Sequence, residues 1–160
     1  MKTLVHTDQD LMEEVIRQCE ICYVGMADTD GTPYVIPMNF GYQDGVVYLH
    51  SGPEGRSLSI LERNPRVCIT FCHTGGLINQ HPEVACSYSM KGRSVIGWGN
   101  VVFEEELDKK REILDIFMKH YTSAPFKYSD PAVRNVKVWK VTLETMSCKE
   151  FGVRPQRRYS

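Results

Sequence analysis

Residues 34 to 67, Tyr34-Val-Ile-Pro-Met-Asn-Phe-Gly-Tyr-Gln-Asp-Gly-Val-Val-Tyr-Leu-His-Ser-Gly-Pro-Glu-Gly-Arg-Ser-Leu-Ser-Ile-Leu-Glu-Arg-Asn-Pro-Arg-Val67, decide the fold. Apolar and aromatic residues fill Thr32–Tyr42 and Val46–Ser51, and Gln43-Asp44-Gly45 between them offers the residue types that a tight hairpin needs at positive φ. Upstream, Ile21–Ala27 is a further apolar run that ends in the turn Asp28-Thr29-Asp30-Gly31, so positions 21–51 read as a three-stranded antiparallel meander. Pro33 and Pro37 cannot donate to a ladder. Pro37 therefore marks an edge or a bulge, where backbone groups are left free to meet a ligand.

After His50-Ser51 the chain enters the loop Gly52-Pro53-Glu54-Gly55, then a short helix that opens near Arg56-Ser57 and stops at Asn64-Pro65. The start of a helix carries unpaired N–H groups and the positive end of the backbone dipole. Arg56 adds a bidentate cation there, and Ser51 and Ser57 add hydroxyl donors, so the segment reads as an anion site suited to phosphate. The plainer alternative is a serine cap beside a solvated arginine.

Outward from this segment, Leu11, Met12, Val15, Ile16 and Cys19 recur at helical spacing behind Asp8 or Asp10, which predicts an opening amphipathic helix. Downstream, 66–72 reads as a fourth strand and His73–His81 as a Gly-Gly connection. Residues 83–89 and 94–104 read as an extended pair around Met90-Lys91-Gly92-Arg93. Leu107, Leu114, Phe117, Met118 and Tyr121 give one apolar side to a helix over 107–121, and 136–146 reads as a final strand with some slippage of period. Six or seven antiparallel strands leave edges that would pair with other chains, so closure into a barrel is expected. No repeat, low-complexity stretch or linker interrupts the chain, which reads as one domain over 1–160 with a core of about 8–150 and a tail of 151–160.

The 160 residues are enough to bury a core, and 42% hydrophobic against 24% charged residues match a globular chain and exclude a disordered one. Nineteen Lys+Arg against twenty Asp+Glu give a net charge of −1, which excludes a field that gathers nucleic acid or an anionic membrane. Tyr23, Tyr34, Phe40, Tyr42 and Tyr48 therefore read as barrel wall rather than a base-stacking platform. The N-terminus turns acidic before an apolar signal region develops, and no run is long enough to span a bilayer, so a cytoplasmic location is expected.

Six cysteines in a reducing compartment read as core residues, metal ligands or redox groups. Cys19-Glu20-Ile21-Cys22 is a C-x-x-C, but it falls where a helix passes into a strand, whereas a reactive dithiol usually opens a helix. Cys68 and Cys72 share a strand face and read as core; with His73, His81 and Cys86 they match no zinc-finger or ribbon spacing, so no metal site is expected. No G-x-S-x-G elbow and no G-x-G-x-x-G after a strand is present.

Three segments together, YVIPMNFGY, DGVVYLHSGPEGRSLSILERNPRVCITF and YSMKGRSVIGWGNVVFEEELDKKREILDIFMKHY, resemble the flavin-binding split-barrel proteins related to pyridoxamine 5′-phosphate oxidase, and within them the 5-nitroimidazole-resistance (Nim) group. The resemblance spans roughly residues 8–150. It implies a mainly β fold, a six-stranded antiparallel split barrel with flanking helices, working as a homodimer with FMN, or FAD, in two clefts between the subunits. It implies that Pro37, Met38, Asn39 and Phe40 lie along the isoalloxazine, that His50, Ser51, Gly55, Arg56, Ser57 and Leu58 hold ribityl and phosphate, and that Ser94, Val95 and Trp98 border the cofactor from the same chain or its partner.

The same resemblance implies an oxidoreductase acting on small heteroaromatic or nitroaromatic compounds, with His50 as proton donor or substrate contact. A flavin carrier or sensor without turnover, and a zinc-stabilised binding module, are the competing readings. Pyridoxamine phosphate oxidation is disfavoured, because the paired basic and aromatic signature for that substrate is missing and the tail charges Arg154, Arg157 and Arg158 are no substitute for it.

Overall fold

Both Asp-Gly turns form where the sequence places them. In the computed structural model, which describes residues 2–154, β1 spans Lys2–His6, α1 Gln9–Arg17, β2 Cys22–Ala27, β3 Pro33–Met38, β4 Gly41–Gln43 and β5 Val46–Ser51. Asp44 and Gly45, at φ 50 and 79, supply the two positive-φ residues between β4 and β5. Asp28 N–H donates to Thr32 O at 2.9 Å between β2 and β3. Asp8 caps α1, its carboxylate accepting from Leu11 N–H at 2.8 Å, and the helix buries Met12, Val15 and Ile16.

The second half holds α2 (Arg56–Arg63), β6 (Arg66–Ile78), β7 (Ser89–Glu104), α3 (Leu107–Lys119), α4 (Asp130–Arg134), β8 (Lys137–Thr142) and β9 (Thr145–Val153). Three expectations change here. His73–Ile78 is strand, not loop: a register shift between Thr74 and Gly76, with Gly76 at φ 98, absorbs the glycines, and β6 continues beside β7. Residues 83–89 do not pair with 94–104; Ala85–Ser87 is a single 3-10 turn, and Lys91-Gly92-Arg93 lies inside β7. The run 136–146 is two strands around a corner at Leu143-Glu144, which explains its slipped period. Gly97 and Gly99 let that corner pass close over β7, since a Cβ on Gly99 would collide with Thr142 O.

The sheet order is β3-β2-β6-β7-β8-β5-β4, every pairing antiparallel. One edge of β7 is shared: residues 92–98 pair with β9, which carries β1 on its far side, while Val101–Glu104 pair with β8. The sheet divides at that point. Among the described residues it has nine strands rather than six or seven, and hydrogen bonds do not close it. The free edges are protected in another way: Pro33 and Pro37 blunt β3, and α3 lies against the three-residue β4 closely enough that a Cβ on Gly41 would meet Phe117 Cα at 2.6 Å.

Between the layers lies one apolar cluster drawn from α1, α2 and both halves of the sheet, including Ile16, Val24, Leu49, Leu58, Ile69, Phe71, Val95 and Trp139. Burial of Leu49, Ile69 or Phe71 contributes about 1.5–3 kcal/mol each. Cys22 alternates inward with Val24 as its spacing implies. Cys68 and Cys72 do share a face, but it is the outward one. Val67, Ile69 and Phe71 take the core, leaving Cys68 half-buried and Cys72 exposed. The proposed tail begins inside β9, which runs to Val153; Arg154 is exposed, and Arg157 and Arg158 lie outside the described residues. No helix among the described residues is long and apolar enough to cross a membrane.

Candidate functional site

At the start of α2, Gly55 occupies the N-cap at φ 146, a conformation that disfavours side chains, and no side chain caps the first turn. Neither Ser51 nor Ser57 is the cap, so the serine-cap half of the plainer alternative fails for this helix. A Cβ on Gly52 or Gly55 would meet nothing within 4 Å, so the loop is open to a ligand. Arg56 is exposed, and no carboxylate among the described residues pairs with it. Its guanidinium lies 4.9 Å from the centroid of the Tyr34 ring, which holds it beside β3. Ser57 is half-buried, whereas Leu58 is 6% exposed and belongs to the core. Ser51 is committed internally, its Oγ accepting from Trp139 Nε1–H at 3.2 Å and donating to Gly52 O at 2.9 Å.

Farther along β3, Pro37, Met38, Asn39, His50 and Phe117 line an open cavity of about 240 Å³. Four of these five residues are among those expected from sequence; Phe117, read there only as an apolar helix residue, is the addition. Phe40 is fully buried, edge-on to Phe71 at 5.0 Å between ring centroids, and its N–H donates to Tyr121 Oη at 2.9 Å. Its role is to seat the strand. Tyr121, just beyond α3, also donates to Glu20 O at 2.7 Å, so one phenol joins the α1–β2 junction to the end of β3. Only the tertiary structure reveals that link.

His50 remains exposed, while the protein around it, including the Phe117 ring at 4.6 Å between centroids, desolvates the imidazole and lowers its pKa below the ordinary 6.5. At neutral pH it is an uncharged donor and acceptor rather than a standing imidazolium. The cysteines behave otherwise. Burial pushes Cys19 up to about 11 and Cys22 up to about 12, so both are protonated thiols at neutral pH. Among the described residues, no group of three or more His, Cys, Asp or Glu is placed to hold a metal.

Ser94, Val95 and Trp98 do not join the cavity in this chain. Val95 is fully buried, and Ser94 and Trp98 face outward on β7, with β2 and β6 between them and β3. A larger cavity of about 320 Å³, lined by Gln18, His73, Lys91, Arg93 and Glu150 among others, contains none of the expected residues.

The chain matches the pyridoxamine 5′-phosphate oxidase family model over residues 8–150. It belongs to that family. A crystal structure of a candidate 5-nitroimidazole antibiotic resistance protein from Bacteroides thetaiotaomicron is 51% identical and superposes with a TM-score of 0.85, covering 93% of this chain and 87% of that one. The flavocytochrome Anf3 from Azotobacter vinelandii (22% identity, 95% and 71% coverage, TM-score 0.82) and an FAD- and heme-binding protein from Mycobacterium smegmatis (15%, 94% and 75%, 0.82) share the fold. No curated protein matches. The divided nine-stranded sheet is thus the split barrel of this family, with more strands than the six expected and an open seam.

Proposed function

We propose that the protein is a flavin-dependent oxidoreductase that binds FMN between two copies of the chain and reduces nitroaromatic compounds of the 5-nitroimidazole kind. One observation carries the reading: an arginine unpaired among the described residues, at an uncapped helix start, lies beside Tyr34 near one end of the edge strand β3, and an open cavity containing His50 is lined by Pro37 and Met38 at its other end. The residues fit the group. Arg56, Ser57 and the first N–H groups of α2 would take one terminal phosphate, which favours FMN over FAD. Pro37, Met38 and Asn39 would border the ring.

The cavity is smaller than the roughly 300–1,000 Å³ of a complete small-molecule pocket, so a second wall is needed. Ser94 and Trp98 do not line it within one chain, and a second copy, bringing its own outward face, supplies the wall in this reading. Tyr23 and Val35 on that same face are 49% and 61% exposed, as apolar residues awaiting a partner would be. The 51% identical relative described for nitroimidazole resistance supports the substrate class. Six cysteines without a disulfide suit a cytoplasmic setting.

When bound, the flavin supplies electrons. His50, neutral beside the cavity, would donate a hydrogen bond from one ring nitrogen to the nitro group and would relay a proton to it by taking one from water at the other nitrogen, while Phe117 and Pro37 border the opposite side. The test is anaerobic: reduce the flavin of the purified protein, add a 5-nitroimidazole and follow the visible bands. Recovery of the oxidised bands with loss of the nitro absorbance supports turnover, and bands that stay bleached leave a carrier or sensor.

A further inference from the structure

We infer that Tyr121 and Glu20 fix the orientation of the Asn39 amide, and that its oxygen then selects ring ligands carrying an N–H donor; this rests on the flavin reading above. The proton count leaves one arrangement. Glu20 O can only accept, and it lies 2.7 Å from Tyr121 Oη, so the phenol proton goes there. The phenol oxygen then accepts from Phe40 N–H at 2.9 Å and from Asn39 at 3.3 Å. The Asn39 atom that meets both Tyr121 Oη and, at 3.4 Å, Glu20 O must therefore be Nδ2, because Oδ1 would face two groups with no proton to offer.

Tyr121 Oη and Glu20 O are themselves only 2.7 Å apart, so one Nδ2 proton serves both, and the amide orientation this fixes leaves Oδ1 available to the cavity that Asn39 lines. A flip of the amide would forfeit both bonds. The complementary chemistry is a flat heteroaromatic ring with an N–H. Two molecules of the proposed reaction can carry it: the flavin, through its imide N–H, and a nitroheteroaromatic with a free ring N–H. Tyr121 is the positioning residue. Its hydroxyl can be removed without undocking α3, since His120 Nε2–H independently donates to Cys19 O at 2.7 Å and the His120 ring packs 4.4 Å from that of Phe40.

The experiment compares matched ligands by equilibrium fluorescence titration: FMN against 3-methyl-FMN on the apoprotein, and a ring N–H nitroimidazole against its N-methyl counterpart on the flavin-loaded protein. Wild type, Asn39→Ala, Tyr121→Phe and, as control, Tyr42→Phe are measured; the Tyr42 hydroxyl is buried without a partner. Wild type should prefer the N–H form about three- to tenfold in one pair, the pair identifying whether cofactor or substrate is read. Asn39→Ala should abolish the preference, Tyr121→Phe should reduce it, and Tyr42→Phe should preserve it. Because Tyr121→Phe leaves the volume at Asn39 unchanged, its effect reports amide orientation rather than room for a methyl group. Equal binding within both pairs in wild type, or a preference that survives Asn39→Ala or is undiminished in Tyr121→Phe, overturns the inference while the flavin reading stands. A wild-type protein that binds no flavin overturns both.

Discussion

At one end of the site, Gly55, Arg56 and Ser57 are consecutive, and the start of α2 presents them with little help from the rest of the fold. At the other end, Asn39, His50 and the pair Phe117 and Tyr121 come from three separate stretches, Asn39 and Tyr121 lying 82 positions apart, and each is held by contacts with the others or with the α1–β2 junction. The difference separates binding from assembly. The anion end can lose its cation without disturbing the fold, whereas added bulk where α3 meets β4 at the ring end moves the wall of the cavity.

The largest effect should come from crowding the ring end. Gly41→Ala would drive a Cβ to 2.6 Å from Phe117 Cα, and because the obstacle is backbone the helix itself must shift. A loss of about 3 kcal/mol in urea unfolding is expected, with weaker flavin binding in the folded fraction. Unchanged stability would show that α3 is not pressed against β4. At the anion end, Arg56→Ala should weaken flavin binding by about 1.5–3 kcal/mol while stability stays within about 0.5 kcal/mol of wild type. Equal losses in both quantities would erase the contrast between the two ends.

A smaller effect concerns protons. Folding lowers the His50 pKa, so the unfolded chain takes up that proton first. The contribution of neutral His50 to stability is intact above about pH 6.5 and is lost as pH falls through its lowered folded value. Following the imidazole resonance of His50 by NMR against pH should give a midpoint below 6.5 that rises in Phe117→Ala. A midpoint at or above 6.5 in wild type would contradict the desolvated ring end. The smallest effect lies outside both ends. Lys140 donates to Glu104 at 2.7 Å across β7 and β8 and holds that carboxyl down at about 2, yet the pair is partly solvated, so Lys140→Met should cost under about 1 kcal/mol and leave flavin affinity alone.

The same contrast governs what the sequence could reveal. The Asp-Gly turns, the Asp8 cap, the opening of α2 near Arg56 and its stop at Asn64-Pro65 are local, written in adjacent residue types, and the structure places them where those residues imply. Illegible were features settled by partners distant in sequence. β6 runs through Gly75-Gly76 because β7 lies beside it, and Thr145–Val153 is a separate strand because β1 and β7 flank it. Cys72 faces outward because Phe71 takes the core. Among the candidate site residues, Phe40, Leu58 and Val95 have the hydrophobic character of their neighbours on the chain, and burial alone distinguishes them from Pro37 and Met38. Tyr121 carried no signal of its own beyond a helical apolar stripe; its importance arises from the three groups that converge on one oxygen.

The most direct measurement is a titration of the apoprotein with FMN, read by flavin fluorescence and visible absorbance and repeated with Arg56→Ala. Saturable uptake of one FMN per chain, with bands displaced from those of free flavin and a clear loss of affinity in the variant, is the predicted result. Absence of saturable uptake, or identical curves for the two proteins, would contradict the assignment of residues 50–58 as the seat of the phosphate.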